Sequence, residues 1–94
     1  MEKKVLTKHP ARKDGVNISK KKYYAIRKSI VKCLRKKDAL TYTGLAKTVG
    51  QDLKARFEGS IQWYVEVVKL DLKARKIIKG IPKSKPQLYR LISK

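Results

Sequence analysis

SIQWYVEVVKLDLKARKIIK, residues 60–79, is the stretch whose pattern decides the fold. Its apolar residues recur every three or four positions, as they do on one side of a helix that turns about 100° per residue. They are Ile61, Tyr64, Val65, Val68 and Leu72. Ser60 is suited to be the N-cap, because its hydroxyl can accept a hydrogen bond from a first-turn amide. The pattern therefore predicts a long helix that begins at Ser60.

After Arg75 the pattern becomes typical of β-strands. Ile77, Ile78 and Ile81 are β-branched residues, which favour extended backbone. The segment PKSKP at 82–86 then interrupts the chain, and QLYRLI at 87–92 resumes an extended pattern. The sequence thus predicts a long helix that runs directly into a basic hairpin.

Residues 19–37 are predicted to form the first helix. One face carries the apolar residues, which are Tyr23, Ile26, Ile30, Cys33 and Leu34. Cys33 is interpreted as a small core residue, since a single cysteine has no second thiol to pair with. Much of the remaining surface is Lys or Arg. This basic face either contacts phosphate, through Lys21, Lys28 and Lys32, or is simply solvated.

A short strand and a second helix are predicted over residues 38–58. Leu40-Thr41-Tyr42 is a brief β-like step, and Thr43 is suited to be the N-cap of the helix that follows. Leu45, Ala46, Val49 and Leu53 then recur at helical spacing, while Gly50 favours an early or irregular end. Two helices joined by a short Gly-containing turn make a helix-turn-helix, whose second helix would be the one that starts at Ser60.

Composition sets the broad class. Ninety-four residues are enough for one domain, and 26 Lys and Arg against 7 Asp and Glu give a net charge of +19. Such an imbalance is best tolerated beside a polyanion, of which nucleic acid is the commonest. We see neither a lipidation motif nor an apolar run near 18 residues, and no signal-peptide pattern. The expectation is a cytoplasmic protein, associated with the nucleoid if it is prokaryotic, without a membrane partner.

Residues 1–18 are predicted to be a basic arm. The segment has little periodicity, with turn signals at His9-Pro10 and Asp14-Gly15. It either tracks phosphates or the minor groove, with Arg12 and Lys13 as contacts, or is a solvated tail. Residues 19–94 then form the folded domain.

The helix-turn-helix followed by a hairpin resembles winged helix-turn-helix DNA-binding domains over about residues 19–92. More narrowly, the chain is similar to a small group of stand-alone winged-helix proteins of uncharacterised function. The resemblance implies an α+β fold of three helices with a small antiparallel sheet, the wing hairpin. Lys76 departs from the family pattern, because many such domains have Gly between the long helix and the next strand. Since Gly reaches positive φ at little cost, the helix end here is either strained or built differently.

The predicted nucleic-acid contacts follow from this resemblance and from the helical wheel. Gln62 can recognise adenine, Lys69 and Lys73 can reach guanine or phosphate, and Glu66 would repel phosphate unless it accepts from cytosine. The full set comprises Thr43, Lys47, Ser60, Gln62, Glu66, Lys69, Lys73 and the wing residues Lys79, Lys83, Lys85 and Arg90. We expect salt-sensitive backbone binding with modest sequence specificity.

A second apolar stripe lies nearly opposite the first on the long helix. Its members, Trp63, Val67, Leu70 and Ala74, are spaced at i, i+4, i+7 and i+11. Three explanations stay open: cover by the wing or the arm, a homodimer interface, or stacking of Trp63 on a base.

The sequence contains no recognisable catalytic constellation. It has one His, one Cys and seven scattered carboxylates, and His9 lacks a partner ligand. Asp71 lies four residues before Arg75, so a helical ion pair is its simplest role. We expect no enzymatic activity, cofactor, metal or small-molecule substrate. The leading interpretation is a duplex-DNA-binding regulator or nucleoid-type protein. The alternatives are an RNA-binding module and an interaction protein that uses the Trp63 stripe.

Overall fold

The computed structural model describes residues 3–8, 14–53, 57 and 59–92. Within them the helices and strands are, in chain order, β1 (Lys4–Lys8), β2 (Asp14–Ser19), α1 (Lys20–Lys37), β3 (Leu40–Thr41), α2 (Tyr42–Asp52), α3 (Ile61–Ala74), β4 (Ile78–Gly80) and β5 (Leu88–Leu91). β1 and β2 form an antiparallel hairpin, and the other strands form a second antiparallel sheet in the order β3-β5-β4. The fold is α+β with three helices and small antiparallel sheets, as predicted.

The amino-terminal residues differ from the expected arm, because β1 and β2 pair and pack on α1 and α3. Thr7 is buried, and its hydroxyl donates to the Val16 carbonyl (3.0 Å) and accepts from the Val16 amide (2.9 Å). A Cβ at Gly15 would lie 2.1 Å from the Thr7 Oγ1, so only glycine permits this close approach. Ile18 joins the core, and Ser19, the last residue of β2, caps α1. The hairpin therefore continues into α1 without a linker.

The core consists of the predicted apolar faces of the three helices together with strands β4 and β5. Val65, Val68 and Leu72 of α3 are fully buried, while Ile61 and Tyr64 are half-buried. The predicted core residues of α1 and α2 are also buried: Tyr23, Ile26, Ile30, Cys33, Leu34, Leu45, Ala46, Val49 and Leu53. Periodicity thus identified the apolar residues that each helix buries.

The start of α2 corrects the predicted cap. Thr41 rather than Thr43 is the N-cap, and its hydroxyl accepts from the Gly44 amide at 3.0 Å. The reason is tertiary, because pairing with Leu88 of β5 holds Thr41 extended and lets the helix begin at the next residue. α2 then continues through Gly50 and ends at Asp52.

Helix α3 begins at the predicted cap and ends at the position where the sequence departs from the family pattern. The Ser60 hydroxyl accepts from the Trp63 amide at 3.2 Å, so the predicted N-cap is confirmed. At the other end Lys76 has φ 62°, a left-handed conformation. Its amide donates to the Lys73 carbonyl (3.1 Å), and the Ile77 amide donates to the Leu72 carbonyl (2.9 Å). This is the hydrogen-bond pattern that usually ends a helix on Gly. The helix end is therefore strained, because a lysine takes the place of that glycine.

Candidate nucleic-acid interface

The amino-terminal end of α3 is exposed and is anchored to the start of α2. The Tyr42 hydroxyl donates to the backbone carbonyl of Gln62 at 2.9 Å. The side chains of Gln62 and Trp63 face solvent, as do those of Thr43 and Lys47 on α2. The structure thus joins the two helices at the end whose side chains are free to meet a ligand.

The β4–β5 hairpin, called the wing below, places two cations side by side. Lys79 of β4 lies directly opposite Arg90 of β5, and both side chains are exposed. Like charges at directly opposite positions repel each other and destabilise a sheet. Among the residues that the structure describes, no acidic side chain pairs with either of them. An anion over this face would relieve the repulsion.

The turn between β4 and β5 presents two further cations, Lys83 and Lys85, which are exposed. The Ser84 side chain stabilises this turn with two hydrogen bonds to its backbone. Its hydroxyl donates to the Ile81 carbonyl (2.7 Å) and accepts from the Leu88 amide (2.8 Å). Bracing of this kind limits the entropy that the turn loses when it binds a ligand.

Lys69 is not available as a base or phosphate contact, which corrects the prediction. Only 5% of the residue is exposed, and its ammonium lies 4.9 and 5.0 Å from the ring centres of Tyr42 and Tyr89. It also pairs with the Glu66 carboxylate at 2.9 Å. On the helical wheel Lys69 follows Val65 by one turn, at the edge of the core stripe, which is why it is buried. The pair leaves little negative charge at Glu66 to repel phosphate.

The predicted contacts on α3 therefore reduce to a smaller set. Ser60 is occupied as the helix cap, and Glu66 and Lys69 neutralise each other. Gln62 and Lys73 are the predicted polar side chains of this helix that are exposed. Base readout by α3 would therefore depend on Gln62, near its amino-terminal end.

The second apolar stripe of α3 is partly covered. Trp63 is 46% exposed and rests edge-on against the Tyr64 ring, with 4.8 Å between ring centres. Val67, Leu70 and Ala74 are half-buried, and β1 packs along the same helix. Trp63 therefore remains open to solvent, while the rest of the stripe is partly covered.

Asp71 is a fully buried carboxylate that ties three parts of the chain together. It accepts from the Lys8 backbone amide of β1 (2.8 Å), from the Tyr23 hydroxyl of α1, and from the Arg75 Nε (2.9 and 3.0 Å). The predicted ion pair with Arg75 is confirmed. Burial, and then the hydrogen bond to Asp71, raise the pKa of Tyr23 above its ordinary value. The hydrogen bond from Arg75 to Asp71 raises the pKa of Arg75.

The sequence could predict the burial of Asp71 but not its hydrogen-bond partners. Asp71 lies close to Tyr64 on the wheel, at the other edge of the core stripe, so its burial could have been inferred. Its hydroxyl and amide donors come from residues 48 and 63 positions away. No local pattern connects residues that far apart.

A basic groove of about 1090 Å³ separates α1 from the end of α3 and strand β5. Its α1 wall is a helical stripe made of Tyr24, Arg27, Lys28, Val31, Lys32, Arg35 and Lys36. Its other wall consists of Arg75, Lys76, Ile77, Leu91 and Ile92. Among the described residues that line it, seven are Lys or Arg and none is acidic. Sequence reasoning did not identify this groove, because it forms only when the strand end meets the helix.

The predicted first-helix contacts fall in two places. Lys28 and Lys32 line the basic groove, and Lys21 is exposed outside it. Lys32 is partly neutralised, because its ammonium lies 3.1 Å from an Asp52 carboxylate oxygen. The arm contacts predicted at residues 12 and 13 lie outside the described part of the chain.

Other chemistry finds little support in the described residues. No three of their His, Cys, Asp or Glu side chains lie together as a metal site requires. No helix among them is long and apolar enough to cross a membrane. Cys33 is buried, and burial raises the pKa of its thiol.

Comparison with known proteins identifies a family whose function is unknown. Residues 4–89 match the model of DUF6958, described as a family of unknown function, and the chain belongs to this family. The match begins in β1 and ends in β5, so it includes the amino-terminal hairpin. No match was found among curated proteins or among solved structures.

Proposed function

We propose that this chain is a winged helix-turn-helix protein that binds duplex DNA as a regulator or nucleoid-type protein. Support comes first from the arrangement of elements. α2 and α3 follow each other in the manner of a helix-turn-helix, and β4 and β5 form a hairpin directly after α3. In such domains the second helix enters the major groove and its amino-terminal residues contact base edges. At that end of α3, Gln62 and Trp63 are exposed here.

The observation that carries the proposal is the unneutralised charge of the wing. Lys79 and Arg90 face each other, and Lys83 and Lys85 project from the braced turn. The ion pairs found among the described residues use the cations of residues 32, 69 and 75 and none of the wing. A phosphate backbone would supply the missing negative charge.

The decisive experiment measures how the affinity for DNA depends on salt. Fluorescence anisotropy with a labelled duplex of about 20 base pairs gives log K against log salt for the wild type. Each phosphate contact contributes about 0.9 to the slope. The double variant Lys83→Ala/Lys85→Ala should therefore reduce the slope by about 2. A matched variant, Lys3→Ala/Lys4→Ala, removes two exposed cations at the start of β1 and should leave the slope near the wild-type value.

Three outcomes would contradict the proposal. An unchanged slope in the wing variant removes the wing from the contact set. An equal fall in both variants means that net charge alone attracts DNA. Tighter binding to a double-stranded RNA of the same length, at equal salt, would favour the RNA interpretation.

A further inference from the structure

We infer that the basic groove between α1 and β5 is a docking site for an acidic amphipathic helix of a partner protein. This surface is separate from the wing and the exposed end of α3. The inference therefore stands or fails independently of DNA binding.

The groove combines basic and apolar side chains. Its rim carries seven cations and, among the described lining residues, no acid. Its apolar members come from both walls, with Val31 on the helix and Ile77 and Leu91 on the other side, all half-buried. Tyr24 and Ile92 are 49% and 37% exposed. A phosphate backbone needs the cations but gains nothing from an aliphatic surface, whereas an amphipathic segment uses both.

The groove has the size and length that a short helix would fill. The volume of about 1090 Å³ slightly exceeds the roughly 300–1,000 Å³ typical of small-molecule pockets. The α1 wall runs from Tyr24 to Lys36, which at about 1.5 Å per residue is roughly 18 Å. A partner helix of about three turns has the same length. Its apolar side chains would face the groove and its carboxylates would meet the rim.

Five of the seven groove cations form no ion pair with the described residues. Arg75 pairs with Asp71 and Lys32 with Asp52. Arg27 forms no ion pair, but it donates to the Tyr23 hydroxyl (3.4 Å) and lies 5.9 Å from the Tyr24 ring centre. Lys28, Arg35 and Lys36 also have no ion-pair partner within the described residues, and they lie along one helical stripe. A helix with acidic residues at matching spacing would meet several of them at once.

The test uses two synthetic peptides of about 14 residues that share one composition. In the first, Leu residues recur at i, i+3, i+4 and i+7 with Glu elsewhere. In the second, the same residues are scrambled so that no apolar face forms. Isothermal titration at moderate salt should show the amphipathic peptide binding about 10-fold more tightly than the scrambled one. Equal affinities would overturn the inference, because the groove would then recognise charge alone.

Two groove variants and two matched controls locate the site. Arg35→Glu reverses a rim charge, and Ile92→Ser removes an exposed apolar side chain. We expect the affinity to fall about 10-fold and about 5-fold respectively. The controls are Lys4→Glu and Val16→Ser, which make the same changes on the exposed surface of the amino-terminal hairpin.

Circular dichroism confirms that each variant is folded, and the comparison of the two peptides needs no variant. An affinity that is unchanged by Ile92→Ser would refute the apolar half of the inference. Displacement of the bound peptide by duplex DNA, with the same loss in Arg35→Glu for both ligands, would assign the groove to nucleic acid instead.

Discussion

Replacing Asp71 with alanine should destabilise the protein strongly, because its buried side chain joins the amino-terminal hairpin to α1 and α3. The carboxylate is 0% exposed and accepts from the Lys8 amide, the Tyr23 hydroxyl and the Arg75 Nε. Asp71→Ala removes the acceptor of all three donors. The proton of the Tyr23 hydroxyl then has no acceptor in the core, since Tyr23 is 1% exposed and its other hydrogen bond, from Arg27 Nη1 (3.4 Å), is one that the hydroxyl accepts.

The magnitude follows from which donors can reach water. A hydrogen bond to a charged group contributes about 1.5–3 kcal/mol, and leaving a buried donor unsatisfied costs a similar amount. The Arg75 side chain is 32% exposed, so water replaces much of its interaction and its share is about 1 kcal/mol or less. The Lys8 amide and the Tyr23 hydroxyl then account for most of the loss. We expect Asp71→Ala to cost about 3–5 kcal/mol. Arg75→Ala should also cost about 3 kcal/mol or more, because it leaves the fully buried carboxylate without its cation.

Urea denaturation followed by circular dichroism measures these free energies of unfolding. Tyr23→Phe should cost about 1.5–3 kcal/mol alone. In combination with Asp71→Ala it should add little, because the hydroxyl that would be left unpaired is already gone. A cost below about 1 kcal/mol for Asp71→Ala, or additive costs for the two changes, would refute the assignment of Asp71 as the buried link between hairpin and helices.

Three further predictions concern readout, the end of α3 and pH. Gln62→Ala should reduce the ratio of affinities for a selected and a scrambled duplex by about 5- to 10-fold, with little loss on the scrambled duplex; equal losses on both would make Gln62 a positioning contact only. Lys76→Gly should raise the free energy of unfolding by about 0.5–1 kcal/mol because φ is 62°, whereas Lys76→Val should lower it, as thermal denaturation of both will test. Burial raises the pKa of the Cys33 thiol above its ordinary 9.0. The neutral thiol therefore contributes its full stabilisation of the folded state below about pH 9, and this stabilisation is lost as pH rises through the pKa of the thiol in the folded protein. Wild type should therefore lose more stability than Cys33→Ala between about pH 8 and about pH 10, and equal losses would contradict a raised thiol pKa.

Local physics accounts for the parts of the fold that could be predicted. The three helices follow from apolar spacing, and the cap at Ser60 follows from hydroxyl chemistry. For the end of α3 the sequence left two alternatives, a strained end or a different construction, and the φ of 62° at Lys76 decides for the first. The cap of α2 could not be placed in the same way. Thr41 and Thr43 are chemically equivalent caps, and only the pairing of β3 with β5 selects the first.

The sequence by itself determined the helices, their buried faces, the wing strands and the excess of positive charge. Each of these depends on residues within a few positions of one another or on composition alone. Tertiary structure alone decided that β1 and β2 pair and pack on the helices, that Lys69 lies between two tyrosine rings, and that α1 and β5 enclose a basic groove. These features depend on contacts between residues far apart in the chain. Lys69 is the clearest case: lysine usually prefers solvent, but two aromatic faces and the Glu66 carboxylate compensate its buried charge.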